Sequence, residues 1–393
     1  MRFPTLRLLI LWFTEHECSS IPVRITPLHS SDWENLDNEE RAIVRNLNTN
    51  SRAPLSTDQA NRVFFPFTTA AQFLKALQRH PHIQKYVKRV ELQELNKVWM
   101  KTDAALGDML KILSSSTISL CITRRLSFRS AGLHDLLFFQ HMTSLEEFSI
   151  TQEPGKPPEF ADQYTIARFC NTFPSLRILD LIAIYSGSSA TADASPPSPA
   201  LQLETLKIGS YCDDHILNWI LPAIIQLKTI HLWHDSDSSC DAIPDIIAGA
   251  TSLTELHLKA MNSFDEKRLS YVVTPLRQRD SLRTLSLNTS LPLDAAIQIL
   301  TAFLQLIRSH LFLERIAISL KLPNSTTYAA QPLELLEDII LGPHFPALKW
   351  LELHVTTKRV KDQEKDLIKM FPRISEQQKL SHIAESYVTR KNK

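Results

Sequence analysis

A six-residue phrase, apolar-x-x-apolar-x-apolar, returns along this chain at Leu176–Leu181, Leu203–Ile208, Leu227–Leu232, Leu253–Leu258 and Leu282–Leu287, in steps of 24 to 29 residues. The alternation inside each phrase predicts a short strand with one face buried. A unit of that size cannot bury its apolar face until neighbours stack on it, so self-similarity at this period predicts a solenoid. Apolar pairs extend the series of strands: Leu9 and Leu11, Phe65 and Phe67, Val90 and Leu92, Leu126 and Phe128, Phe148 and Ile150, Leu179 and Leu181, Leu206 and Ile208, Ile230 and Leu232, Leu256 and Leu258, Leu285 and Leu287, Ile316 and Ile318, Leu351 and Leu353. Helical spacing fills the intervals at 73–78, 106–113, 133–142, 166–173, 216–225, 243–247, 269–276, 295–307 and 333–340. Asp213 and Asp214 put negative charge at one helix start, and Pro292 sits at a first-turn position of another.

Strand then helix, repeated about eleven times, is the leucine-rich-repeat arrangement, an α/β horseshoe with parallel strands on the concave face and helices on the convex face. Residues 1–13 form a repeat-like strand, because Phe3-Pro4-Thr5-Leu6 through Leu11 matches Phe173 through Leu181 and Phe345 through Leu353 position by position. That match outweighs the alternative of a secretory signal, for which no small-residue cleavage site follows. Residues 14–62 are a polar irregular segment, within which 33–47 has the spacing of one amphipathic helix. An irregular repeat array covers 63–354, with a Ser, Ala and Pro-rich insertion at 186–199 expected to be disordered. Its Ser195-Pro196 and Ser198-Pro199 pairs are positions where phosphate would add charge. Residues 355–393, with ten Lys or Arg against five acidic residues, form a capping repeat or helix and a basic tail.

Composition removes several classes of chemistry. Lys and Arg number 43 against 42 Asp and Glu, so no long-range field favours nucleic acid or an anionic membrane. Only 7 glycines occur, where average usage gives about 28, and none forms a phosphate-cradling cluster. Neither a nucleophile elbow nor a zinc-protease motif is present, so no catalytic residue and no cofactor is expected. The five cysteines are scattered and never in C-x-x-C spacing, which fits reduced, buried thiols in a cytoplasmic or nuclear protein. No run approaches 18 apolar residues, so no membrane span is expected.

The stretch Asn61-Arg62-Val63-Phe64-Phe65-Pro66-Phe67 through Phe73-Leu74-Lys75-Ala76-Leu77-Gln78-Arg79-His80-Pro81, then Tyr86-Val87-Lys88-Arg89-Val90-Glu91-Leu92, resembles the segment that follows the F-box in fungal F-box and leucine-rich-repeat proteins, particularly those of mushroom-forming fungi. The resemblance implies a non-enzymatic substrate receptor of a ubiquitin ligase, with an F-box gripping an adaptor and repeats holding a protein target. Two departures accompany it. The Leu-Pro-acidic-aliphatic opening of an F-box is missing between Met1 and Arg62, which leaves a free-standing repeat scaffold as the alternative. The Asn or Cys expected three residues after each strand is replaced by Ile184, Tyr211, Asp235, Met261 and Ser290.

Alternation places Glu91, Ser149, Asp180, Lys207, His231, His257, Ser286, Ala317 and Glu352 in one outward row on the concave face, with Ile182, Gly209, Trp233, Lys259, Asn288, Ser319 and His354 beside it. His231, Trp233, His257 and Lys259, with Lys207 next to them, are the candidate partner-binding residues, since an aromatic anchor ringed by polar groups is the composition of a binding hot spot. His231 and His234 are three apart and point to opposite faces, so only His231 with His257 could share an ion, and two imidazoles without a third ligand make a poor zinc site, so no metal is expected.

Overall fold

The computed structural model describes residues 23–25, 65–67, 70–79, 81, 84, 87, 89–96, 104–127, 139–151, 159–160, 163–181, 184–185, 201–209, 212, 214–233, 242–259, 272–276, 280–289, 291–307, 312–321, 330–356 and 380–382. The chain divides into two compact units, one of residues 1–202 with 211–219 and one of 203–210 with 220–393.

The first unit carries β1 (Val23–Ile25), β2 (Phe65–Phe67), α1 (Ala70–Arg79), β3 (Arg89–Asn96), α2 (Ala104–Leu113), β4 (Ser119–Ser127), β5 (Glu147–Thr151), β6 (Glu159–Phe160), α3 (Gln163–Asn171), β7 (Ile178–Leu181) and β8 (Ile184–Tyr185). Its main sheet runs β7-β5-β4-β3-β1-β2, and β6 pairs with β8 in a second, two-stranded sheet. From β3 to β7 every pair is parallel. Val23–Ile25 lies inside the segment expected to be irregular, and it pairs antiparallel with both β2 and β3. Pro66 is paired on one side only, by β1, which suits a residue without an N–H to give to a second neighbour.

The fourth expected strand is in a different place. Sequence alternation pointed to Leu126 and Phe128, but Leu120 and Ile122 align with Val90 and Leu92 and with Phe148 and Ile150. Leu126 falls near the end of the same strand, opposite Leu95, after a bulge between Leu92 and Glu94. The expected helix at 133–142 shows only a tight turn in its described part, 139–142, where Met142 N–H donates to Phe139 O at 2.9 Å.

The second unit contains β9 (Thr205–Ile208), then β10 (Thr229–Trp233), α5 (Ile243–Gly249), β11 (Glu255–Lys259), β12 (Thr284–Asn288), α6 (Leu293–Leu306), β13 (Arg315–Lys321), α7 (Ala330–Leu341), β14 (Trp350–Thr356) and β15 (Leu380–His382); α4 (Asp214–Ile220) belongs to the first unit except for its last residue. All six pairings from β9 to β15 are parallel. The structure is therefore α/β with parallel sheet in both units. β15 adds a strand within 355–393, and Pro292 is the N-cap of α6, one residue ahead of its first turn. The expected strand at Leu9 and Leu11, the helix at 33–47 and the insertion at 186–199 lie outside the described residues.

One backbone device recurs and explains the phrase in the sequence. Ahead of several strands the amide of the phrase's first leucine closes a turn: Leu176 onto Phe173 at 3.1 Å, Leu227 onto Ile224 at 2.9 Å, Leu253 onto Ala250 at 3.2 Å, Leu348 onto Phe345 at 3.1 Å; Leu203 instead donates to Ala223 O at 3.1 Å. In Phe173-Pro174-Ser175-Leu176 and Phe345-Pro346-Ala347-Leu348 the proline fixes the second residue of that turn. The two residues after the leucine then both donate to one carbonyl of the preceding unit: Lys228 and Thr229 to Glu204, Thr254 and Glu255 to Lys228, Arg283 and Thr284 to Thr254, Glu314 and Arg315 to Arg283, Lys349 and Trp350 to Glu314. Arg177 and Ile178 repeat it on Glu146. The remaining apolar positions fill the core. Leu206, Ile230, Leu256, Leu285, Ile316 and Leu351 form one buried ladder, and Ile208, Leu232, Leu258, Leu287 and Ile318 another. α6 buries Leu293, Ala296, Ile297, Leu300, Phe303 and Leu304, and in the first unit Phe148 of β5 meets Phe169 of α3 at 4.6 Å between ring centres.

Candidate functional site

Parallel pairing without bulges makes each outward position of β9 to β13 a row at strand spacing, about 4.8 Å. The register sets Lys207, His231, His257, Ser286, Ala317 and Glu352 side by side, as alternation predicted. Two residues further on, Trp233 stands against Lys259. All five candidate residues, Lys207, His231, Trp233, His257 and Lys259, thus lie on one face of three neighbouring strands within one unit.

Their side chains interact in pairs. The His231 and His257 rings stack at 4.1 Å between centres, 8° from parallel. The Lys259 ammonium sits 3.9 Å from the centre of the Trp233 ring, where the negative face of the indole attracts it. Burial pushes the His231 imidazole down to about 3, with His257, Lys207 and Lys259 adding to the effect. His257 is lowered by burial as well; Glu255, whose Oε2 is 3.6 Å from its Nε2, pulls the other way, while Arg315 and Lys259 oppose protonation. Both rings are neutral at pH 7. Lys259 is lowered by burial and then by the charge of Lys207. The register puts Lys207 on β9 and Lys259 on β11, two strands apart on this face, with β10 between them.

Ring nitrogens carry their lone pairs in the ring plane, so two stacked imidazoles direct them side by side and not at a common point. Among the described residues no group of three or more His, Cys, Asp or Glu side chains is placed to hold a metal ion.

The outward row has a second part that differs from expectation. In the first unit Glu91, Cys121, Ser149 and Asp180 are in register, so Cys121 fills a position that alternation had left out. Cys121, Ser149 and Asp180 are buried, at 2%, 2% and 6% exposure, where an open face was expected. Ala317 is buried too. Among the residues of the row whose burial is described, Lys207, His231, His257, Ser286 and Glu352 are half-buried.

Sequence reasoning missed the row two residues earlier on the same face, Thr205, Thr229, Glu255, Thr284, Arg315 and Trp350. It supplies Glu255 to His257, and Arg315, whose Nη2 donates to Glu352 Oε1 at 2.5 Å. The same period-two count, carried back by one step, would have found it. Among the described residues no helix is long and apolar enough to cross a membrane. The chain matches no family model, and no curated protein matches it.

Proposed function

We propose that the protein is a non-enzymatic protein-binding array of leucine-rich-repeat type, with parallel strands on a concave binding face, acting as an F-box-type substrate receptor of a ubiquitin ligase or as a derivative of one. The observation that carries the binding part is the open face of β9 to β11, where an aromatic anchor, two neutral imidazoles and two lysines stand in register on rigid strands. Side chains held on strands lose little freedom when a partner arrives, which favours recognition. The recurrent turn and the carbonyl link between successive strands support the repeat reading. The ligase part rests on the resemblance around residues 61–92.

Lysine-directed cross-linking of the tagged full chain in fungal cells tests both parts. The reading expects partner peptides attached to Lys207 or Lys259, lost on Trp233→Ala, and the ligase adaptor among the co-purified proteins. Partners without the adaptor would leave the free-standing scaffold. Cross-links that ignore Trp233→Ala and avoid both lysines would remove this face from the binding reading.

A further inference from the structure

We infer that the outer edge of β14 takes an extended segment of a partner polypeptide, which pairs along the strand in the place that β15 fills in part, with Trp350 as its anchor. This rests on the protein-binding reading and adds a second surface to it, on a sheet edge and not on the face of β9 to β11.

Unequal pairing on the two sides of β14 is the first argument. Toward β13 all seven residues of β14 are in register. Toward β15 only Leu351 and Glu352 have partners, Leu380 and His382, with a register shift between them. Among the described residues β15 ends the sheet, and it is three residues long. Alternate residues of a parallel strand direct both N–H and C=O to the same side, so β14 past Glu352 presents donors and acceptors in turn along its outer side. Another extended backbone completes such a row, as in strand addition. A phosphate chain offers acceptors alone and would leave the carbonyls of this edge unmet. β15, a parallel strand seated on the same edge, shows the kind of occupant that fits. The second argument is the strength of that seat. Two pairs with a shifted register hold β15 weakly, and a segment matched to the whole of β14 forms more backbone bonds than it displaces. The third argument is Trp350. It opens β14, is 49% exposed, and stands beside Arg315. Arg315 Nη2 donates to Glu352 Oε1, so the guanidinium next to the indole is already matched by a carboxylate. An exposed indole at one end of an incompletely paired edge gives an incoming strand a side-chain contact in addition to its backbone bonds.

The test uses the full chain and three labelled peptides with the sequence of residues 313–321, which contain the strand already paired with every residue of β14. One peptide is unmodified, and the other two carry backbone N-methyl groups on the odd or on the even residues. Methyl groups on the edge that meets β14 remove its donors, whereas those on the other edge leave the pairing intact. By fluorescence anisotropy one methylated peptide should bind like the unmodified one and the other about tenfold or more weakly. Trp350→Ala should weaken the unmodified peptide by about tenfold and leave the urea midpoint nearly unchanged. Hydrogen exchange locates the site: the amides of 353–356 that face away from β13 should exchange about tenfold or more faster than those facing it, and the unmodified peptide should slow them. Equal protection of the two sets in the chain alone overturns the inference without relying on any variant. So do equal binding of the two methylated peptides, no binding of the unmodified peptide at about 1 mM, or a Trp350→Ala chain that binds it as tightly as before. Should any of these results appear while partners still cross-link at Lys207 or Lys259 in a Trp233-dependent way, the edge inference falls and the protein-binding reading stands.

Discussion

At the scale of single residues, a buried hydroxyl and a half-buried imidazole pair each make a prediction. Ser149 is 2% exposed, and its hydroxyl has no hydrogen-bond partner. An unsatisfied buried hydroxyl costs about 1–3 kcal/mol, and removing it relieves that cost while leaving only a small void. Ser149→Ala should therefore raise stability by roughly 1 kcal/mol, read as a higher urea midpoint at unchanged slope. A fall of similar size would show that the hydroxyl is bonded. The His231 and His257 pair acts through protons. Both imidazoles titrate lower in the folded chain than in the unfolded one, His231 near 3. The unfolded state thus binds more protons below its ordinary histidine value near 6.5, and stability falls as pH drops from there toward the folded values. Between pH 7 and 5, before carboxylates titrate, the melting temperature should decline, and His231→Gln with His257→Gln should flatten the decline. An identical slope in the double variant would mean that neither ring is held neutral by the fold.

At the scale of elements, stability and recognition sit on opposite faces of the same strand. Leu256 and Leu258 of β11 are fully buried, whereas His257 is half-buried and Lys259 exposed. Leu256→Ala removes core packing and leaves a cavity, an expected loss of about 2–5 kcal/mol by chemical denaturation. Trp233→Ala, on the outward side of β10, should cost only about 1 kcal/mol and act on binding instead. A loss at Trp233 as large as at Leu256 would make the indole a core residue and not an anchor. This division was legible in the sequence wherever the phrase was regular. From β9 to β14 the expected strands, their inward pairs and the neighbours of all five candidate residues coincide with the observed register, because in-register parallel pairing turns alternation directly into rows. Elsewhere the signals were of another kind. β4 carries its aligned apolar pair at Leu120 and Ile122, ahead of a register shift, whereas the expected Leu126 lies beyond that shift and Phe128 lies outside the described residues. β1 is three residues long, and its partners are some 40 and 67 positions away, too far for any local pattern to announce. Ile184, read as a missing turn residue, is part of β8 and pairs with β6. The burial of Ser149 and Asp180 depends on what packs over a strand, which alternation does not encode.

At the scale of the molecule, charge balance separates a protein partner from a nucleic-acid one. The chain carries a formal charge of +1 with 85 charged side chains, so cations and anions nearly balance over its length. Along the strand entrances the balance is visible as pairs: Lys228 with Glu204 at 2.9 Å, Lys349 with Glu314 at 2.8 Å, Arg283 with Glu314 at 3.9 Å. Each such pair neutralises a cation that a phosphate backbone would otherwise recruit, and each contributes little to stability because it is exposed. Non-specific affinity for DNA comes from released counterions, with a salt dependence that grows with the number of phosphates neutralised. Among the described residues β9 to β11 place Lys207 and Lys259 on this face together with Glu255, so few phosphates would be engaged. The full chain should accordingly bind duplex DNA no more tightly than about 100 µM at physiological salt, with a shallow slope against salt concentration. Micromolar binding with a steep slope would reveal a basic surface outside the rows and remove the argument from charge balance.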